Sequence, residues 1–293
     1  MIELKNEYLT VLISETGAEL QSIKNNAGKE FLWQADPKYW PRHSPILFPI
    51  VCSVNNDTYR VDGQEYHLPR HGFARDRKFT LRDQYADMAS FELLWDEETL
   101  KVYPFQFCLI ITYSLDENAI TVEWQVDNLD DQEIHFQIGG HPAFNIPGMK
   151  EGDVHQGRIR LDAMAPIYRY TSYIDGTHDM TEDLVETTED GIIEFNDETW
   201  GKDSIQIHRC QTTKAEILDP KGRPAVAVYY ETPVCAFWSP YKKNAPFVCI
   251  EPWYGVGDYR GFDGEFRDKP LMNHLLPGAS FIGGYQIEIG DTD

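Results

Sequence analysis

Strand-like alternation dominates the chain. From Ile120 to Val126, apolar Ile120, Val122, Trp124 and Val126 alternate with Thr121, Glu123 and Gln125. That period of two predicts a strand with one buried face. The preceding run, Phe105 to Leu115, is rich in β-branched and aromatic residues, and Asp116-Glu117-Asn118 separates the two runs. A hairpin is expected there. Three more hairpins follow the same grammar. Tyr59–Val61 and Glu65–His67 flank Asp62-Gly63, a dipeptide suited to a type I′ turn. Ala215–Leu218 and Ala225–Tyr230 flank Asp219-Pro220-Lys221-Gly222, and Leu20–Lys24 and Glu30–Trp33 flank Asn25-Asn26-Ala27-Gly28. A further apolar strand is expected over Ile134–Ile138 and another over Ser204–His208.

Helical periodicity is scarce. With 17 prolines and 21 glycines, the chain suits a turn-rich all-β sandwich or barrel rather than a βαβ fold. No fixed-period repeat and no Pro/Gly/Ser linker divides it, so one domain is expected over residues 1–293. The acidic stretch Thr181 to Asp203 is expected to be a solvated loop or short helix on the surface.

Charge narrows the partners. Lys and Arg total 26 against 48 Asp and Glu, a net charge of −22. Such a surface repels phosphate backbones and anionic lipid, so neither nucleic acid nor a membrane surface is an expected partner. The first ten residues carry Glu3, Lys5 and Glu7 with no apolar run behind them, and no segment is long enough for a membrane span. The five cysteines are odd in number and lack Cys-x-x-Cys spacing, which predicts reduced thiols and a cytoplasmic protein. The sequence gives no handle on oligomeric state beyond leaving room for a homodimer.

Several familiar chemistries lack their signatures. Gly255, Gly257 and Gly261 miss the dinucleotide-binding spacing; there is no phosphate-binding Gly-Lys-Ser/Thr loop, no His-Glu-x-x-His and no Gly-x-Ser-x-Gly. No cofactor and no metal are expected. Chemistry concentrates instead in three segments: Pro69-Arg70-His71-Gly72-Phe73-Ala74-Arg75-Asp76, Gly139-Gly140-His141-Pro142-Ala143-Phe144-Asn145 and Cys249-Ile250-Glu251-Pro252-Trp253-Tyr254-Gly255. His141 follows two glycines at a strand end, and Pro142 biases it toward extended backbone. It either lines a pocket or is satisfied by a backbone carbonyl. Glu251 ends the apolar run Phe247–Ile250, where desolvation would raise its pKa and strengthen it as a base, unless it pairs with an arginine such as Arg75. His71 lies between Arg70 and Arg75, whose charges favour the neutral imidazole, or it is a plain turn residue. The surrounding aromatics, among them Trp33, Trp40, Phe144, Trp238 and Trp253, have flat faces suited to the C–H face of a pyranose or to the core.

Taken in order, these segments with Leu47-Phe48-Pro49-Ile50-Val51 and Phe237-Trp238-Ser239 resemble the aldose 1-epimerase (galactose mutarotase-like) superfamily, and in particular its LacX-like branch. The resemblance spans nearly the whole chain. It implies an antiparallel β-supersandwich with a sugar cleft and a cofactor-free mutarotase. By that resemblance Glu251 is the general base on the anomeric hydroxyl and His141 the acid at the ring oxygen. His71 orients the sugar and Asp203 binds it, with Arg75, Phe144 and Trp253 as further substrate-binding residues. The acid–base pair asks for a partly buried glutamate beside a histidine near its usual pKa of about 6.5. The family's Asn-Arg pair is missing after Ile50-Val51-Cys52-Ser53-Val54, which leaves Arg75 to replace it or the role unfilled. Arg70, Arg75, Arg77 and Lys78 make a basic island, which admits a sugar 6-phosphate as substrate, or else pairs with Asp76 and neighbouring acids. Two other classes remain open: a non-catalytic sugar-binding module on the same fold, and a glycoside hydrolase with Asp203 or Asp258 as a second acid.

Overall fold

The computed structural model describes residues 1–154, 156–163 and 166–290. Two large antiparallel sheets carry the architecture. One has nine strands in the spatial order Ile192–Asn196, Gln156–Leu161, Lys214–Leu218, Pro224–Tyr230, Ser280–Ile289, Ala119–Asn128, Phe107–Asp116, Met88–Leu94 and Thr80–Gln84. The other runs His178–Val185, Ile167–Ser172, Ile205–His208, Val234–Trp238, Phe247–Tyr254, Ile138–Gly140 and Ile46–Leu47, with Ala143–Asn145 also paired to Phe247–Tyr254. The α-helix among the described residues is one turn, Glu97–Leu100. No helix there is long and apolar enough to cross a membrane.

Alternation explains how the sheets meet. Ile120, Val122, Trp124 and Val126 from the nine-stranded sheet join Ile205, Ile207, Phe237, Val248 and Ile250 from the other in one hydrophobic cluster. The opposite face of the second sheet carries two smaller clusters, around Phe247 and Cys249 and around Trp253 and Ala236. That face holds the candidate site.

Three of the expected hairpins form: Phe107–Asp116 with Ala119–Asn128, Thr58–Val61 with Gln64–His67, and Lys214–Leu218 with Pro224–Tyr230. Asp62 and Gly63 both have positive φ, as a type I′ turn requires. The fourth shrinks to a single Lys24–Glu30 bridge. Its second arm is diverted because the Glu30 carboxylate itself accepts from Ile23 N at 2.8 Å and Leu32 N at 3.0 Å, while Trp33 N turns to Ala143 O. The acidic stretch also departs from expectation. It completes the strand His178–Val185, adds the strand Ile192–Asn196 and ends in a 3₁₀ helix, Asp197–Lys202. Buried Ile193 and Phe195 anchor that second strand at the sheet edge. The run expected as one strand over Ile134–Ile138 breaks at Gln137, whose side chain accepts from Val51 N and donates to Pro270 O. All five cysteines are free.

Candidate active site

Along Phe247–Tyr254, Val248 and Ile250 enter the main core, so Phe247, Cys249, Glu251 and Trp253 face the other way. The adjoining strand repeats the pattern, with Cys235 and Phe237 in the core and Val234, Ala236 and Trp238 on the Glu251 face. Register sets Ala236 opposite Glu251, and Gln206 of the next strand opposite Ala236. Directly opposed residues share a face, so Gln206, Ala236 and Glu251 form one row. Its middle member is only a methyl, which leaves a gap between two polar side chains. Gln206 Nε2 donates to Ser204 Oγ at 3.0 Å, while its buried Oε1 has no protein partner.

His141 enters from the edge of this face. Its two preceding glycines are sterically required. A Cβ on Gly139 would lie 2.5 Å from Trp253 Cδ1, and one on Gly140 would lie 2.8 Å from Tyr285 Cε1. The imidazole reaches Glu251, with Nε2 3.2 Å from Oε2, yet Oε2 accepts no aligned hydrogen bond. The Trp40 indole stacks on the imidazole at 4.8 Å between centroids, and Trp238 meets it edge-on at 5.7 Å. His71 stands 5.5 Å from His141, ring to ring. Its backbone is left-handed, and so is that of Gly72, where a Cβ would lie 2.3 Å from Phe48 O. Cys52 N donates to His71 Nδ1 at 3.1 Å. A neutral His71 therefore carries its proton on Nε2.

Three arginines border the histidines. Burial lowers His71 well below its ordinary pKa, with His141, Arg75, Arg70 and Arg42 adding to the effect. Arg70 Nε donates to Ser53 Oγ at 3.2 Å and its Nη2 to Ile174 O at 2.5 Å, and among the described residues it has no carboxylate partner. Arg75 is mostly buried. It donates to Arg70 O at 2.6 Å, and its Nε approaches Asp76 only to 3.7 Å and makes no hydrogen bond. Arg42 takes Asp76 at 2.9 Å. Arg70 thus brings a guanidinium to the Ile50–Val54 segment, where the sequence holds none. The arginine pairing considered for Glu251 does not form; its ion-pair distance is to His141.

Asp203 sits in left-handed backbone at the end of Asp197–Lys202, and burial raises it to about 6. Its charge in turn raises Glu251, on which burial acts most strongly. Asp258, considered as a second acid, is instead sealed against Lys269 Nζ at 2.5 Å. Phe144 does not join the site. It is fully buried in the main core and bridges Leu32, because its neighbour Ala143 takes the side facing Trp33 and Phe247. Trp253 is buried with Leu47, Val51 and Cys52 and backs the wall rather than lining open space. Sequence reading missed Arg42 and Gln206, and it counted Trp40 only as one aromatic among many.

The histidine also differs from expectation. Burial lowers His141 to about 3, far from its usual value, and raises Glu251 well above 4.5. Burial opposes both charges, so it disfavours a carboxylate–imidazolium pair. A stability prediction follows from the histidines. His141 at about 3, His178 at about 4 and His71 stay neutral where their unfolded counterparts bind protons near 6.5. Their contribution is complete above pH 6.5 and is lost as pH falls toward the depressed values, by up to about 1.4 kcal/mol per pH unit for each histidine. Asp203 and Glu251 act with the opposite sign, since raised carboxyls favour the folded state as pH falls between their raised and ordinary values. Two carboxyls offset three histidines only in part. Urea midpoints should drop between pH 7 and pH 4.5; a flat or rising profile would contradict these burials.

His141, Cys249 and Glu251 also place ligand atoms within 4.8 Å of one another. Burial pushes the Cys249 thiol well up, which opposes the thiolate a metal would need. The trio suits proton transfer better than metal binding.

The aldose 1-epimerase family matches residues 1–266. Protein LacX (chromosomal) of Lactococcus lactis subsp. lactis is 32% identical, over 98% of this chain and 99% of its own. A galactose mutarotase related enzyme from Lactobacillus acidophilus superposes with a TM-score of 0.92 at 34% identity, covering 99% of this chain and 97% of that one. A galactose mutarotase-like protein from Lactobacillus casei gives 0.93 at 29% identity, covering 99% and 100%.

Proposed function

The chain belongs to the aldose 1-epimerase family and is an isomerase-type enzyme, and on that premise we propose that it interconverts the α and β anomers of an aldose through Glu251 and His141. The observation that carries this reading is the buried carboxyl–imidazole contact of 3.2 Å, on a sheet face walled by Trp40 and Trp238. Burial favours the neutral pair, with the proton on Glu251. Shifting it from Oε2 to Nε2 gives carboxylate and imidazolium, and the hydroxyls of a bound sugar stabilise those charges. Glu251 then takes the proton from O1 while His141 gives one to the ring oxygen. The C1–O5 bond breaks, O1 becomes the aldehyde oxygen, and rotation about C1–C2 presents the other carbonyl face. Reclosure returns both protons, so the pair again holds one. His71 Nε2–H, Asp203 and Gln206 are the groups available to sugar hydroxyls, and the Arg70 guanidinium stands in for the arginine missing near Cys52. The whole chain acts as one epimerase domain.

Isotope labelling tests the route. Aldose carrying ¹⁸O at C1 should change anomer in ordinary water with its label retained beyond the protein-free control. Label loss at every turnover would mean C1–O1 cleavage, as in a hydrolase, and would overturn it. A second reading, a hexose 6-phosphate substrate, is favoured by Arg70, which has no carboxylate partner among the described residues, in a chain of net charge −22. A kcat/KM for the 6-phosphate above that of the free sugar, lost in Arg70→Gln, is its expected signature. Equal values would dismiss it.

A further inference from the structure

His135 and His274 face each other across the two-stranded pairing of Ile134–Phe136 with Asn273–Leu275. Their Nδ1 atoms are 3.1 Å apart. A carboxylate oxygen of Glu133 completes a trio whose ligand atoms all lie within 4.8 Å of one another. None of these residues belongs to the sugar site. We propose that His135, His274 and Glu133 form a binding site for a divalent transition cation of the zinc class, independent of the sugar chemistry.

The donor set fits that class. Two imidazole nitrogens and one carboxylate suit a borderline ion such as Zn²⁺, and three protein ligands leave a fourth position for water. Zinc–nitrogen bonds of about 2.0–2.1 Å spanning the observed separation would subtend roughly 100°, near the tetrahedral angle. The rings already share one proton, because an Nδ1···Nδ1 contact needs one donor and one lone pair. A cation would take that proton's place between the two Nδ1 atoms, and the ring that carried it would hold its proton at Nε2 instead, so both ligands stay neutral imidazoles.

The surroundings hold the site ready. His135 is buried and its ring meets Phe105 edge-on, while its backbone oxygen accepts from Tyr103 Oη at 2.9 Å, so the backbone is fixed. His274 and Glu133 are exposed, which leaves a path from solvent. A cavity of about 150 Å³ beside Glu133 and His135 is lined by the carboxylates of Asp62, Glu133 and Glu265 and by the guanidiniums of Arg60 and Arg267, a small negative balance that favours a cation. Arg267, also on that wall, is engaged by Asp62 at 2.5 Å. The expected consequence is a clamp between the two strands.

The test uses the full chain stripped with EDTA and titrated with Zn²⁺ by calorimetry, with Co²⁺ as a visible reporter of geometry. One equivalent should bind, the thermal midpoint should climb with free zinc, and Co²⁺ should show a four-coordinate spectrum. His274→Gln changes an exposed side chain and should fold as wild type. It should weaken zinc by more than the roughly 10–100-fold typical of losing an outer-sphere partner. Undiminished binding in His274→Gln overturns the proposal. So does binding lost in His141→Asn but kept in His274→Gln, which would put the ion at the sugar site. Absence of binding at hundred-micromolar zinc overturns it as well.

Discussion

Replacing Glu251 with glutamine lowers the rate of anomer interconversion by roughly 10²–10⁴-fold, the usual contribution of a positioned acid–base group, and leaves the protein folded. The amide matches the carboxyl in size but can neither take the O1 proton nor hold the proton shared with His141. Its packing among Ala236, Cys249 and Trp253 is preserved. Stability should not fall, because the substitution removes a group whose ionised form is penalised by burial and by Asp203. The amide keeps the 3.2 Å approach to His141 Nε2 that the present oxygen makes. Progress curves by polarimetry together with a thermal melt check both halves. Activity within a few-fold of wild type in a folded variant would remove Glu251 from the mechanism.

Lys269→Ala should cost about 3–5 kcal/mol of stability. Lys269 and Asp258 are both buried, with Nζ and Oδ1 2.5 Å apart, and Nζ also donates to Val256 O at 3.2 Å. Removing the ammonium strands a buried carboxylate. That carboxylate also holds Asn55 N at 2.8 Å, and the Asp258 backbone ties to Ser53 O and His178 N. Those links support the wall where Arg70 meets Ser53, so the sugar site should loosen as well. Urea unfolding of Lys269→Ala, beside the double variant Lys269→Met with Asp258→Asn, separates the causes. The double variant should lose less than the single one, because it leaves no unpaired charge. A single-variant loss below 1 kcal/mol would mean that the pair is hydrated.

Much of this arrangement is legible from local pattern. Period-two runs and turn dipeptides mark three hairpins, since both depend on near neighbours. Gly-Gly-His-Pro and the carboxylate after Phe247–Ile250 mark the two groups found 3.2 Å apart. What local pattern misses depends on distant register. Gln206 reaches the row of Glu251 only through the pairing of three strands. Trp40 and Arg42 come from a segment about 100 residues ahead of His141, so their approach to its ring has no local signal. Phe144 looks like a cleft aromatic beside His141, yet strand alternation turns it to the core. His141 looks like an ordinary histidine, and only the burial supplied by Trp40 and Trp238 shows why it is not.

The most direct measurement is anomer exchange at equilibrium, followed by NMR saturation transfer between the α and β anomeric protons of galactose, glucose and their 6-phosphates, with EDTA present. The account predicts an exchange rate above the buffer background for at least one of these sugars, proportional to protein concentration. Background exchange for all four, with sugar binding visible in the same samples, would contradict it and leave a protein that binds sugar without turning it over.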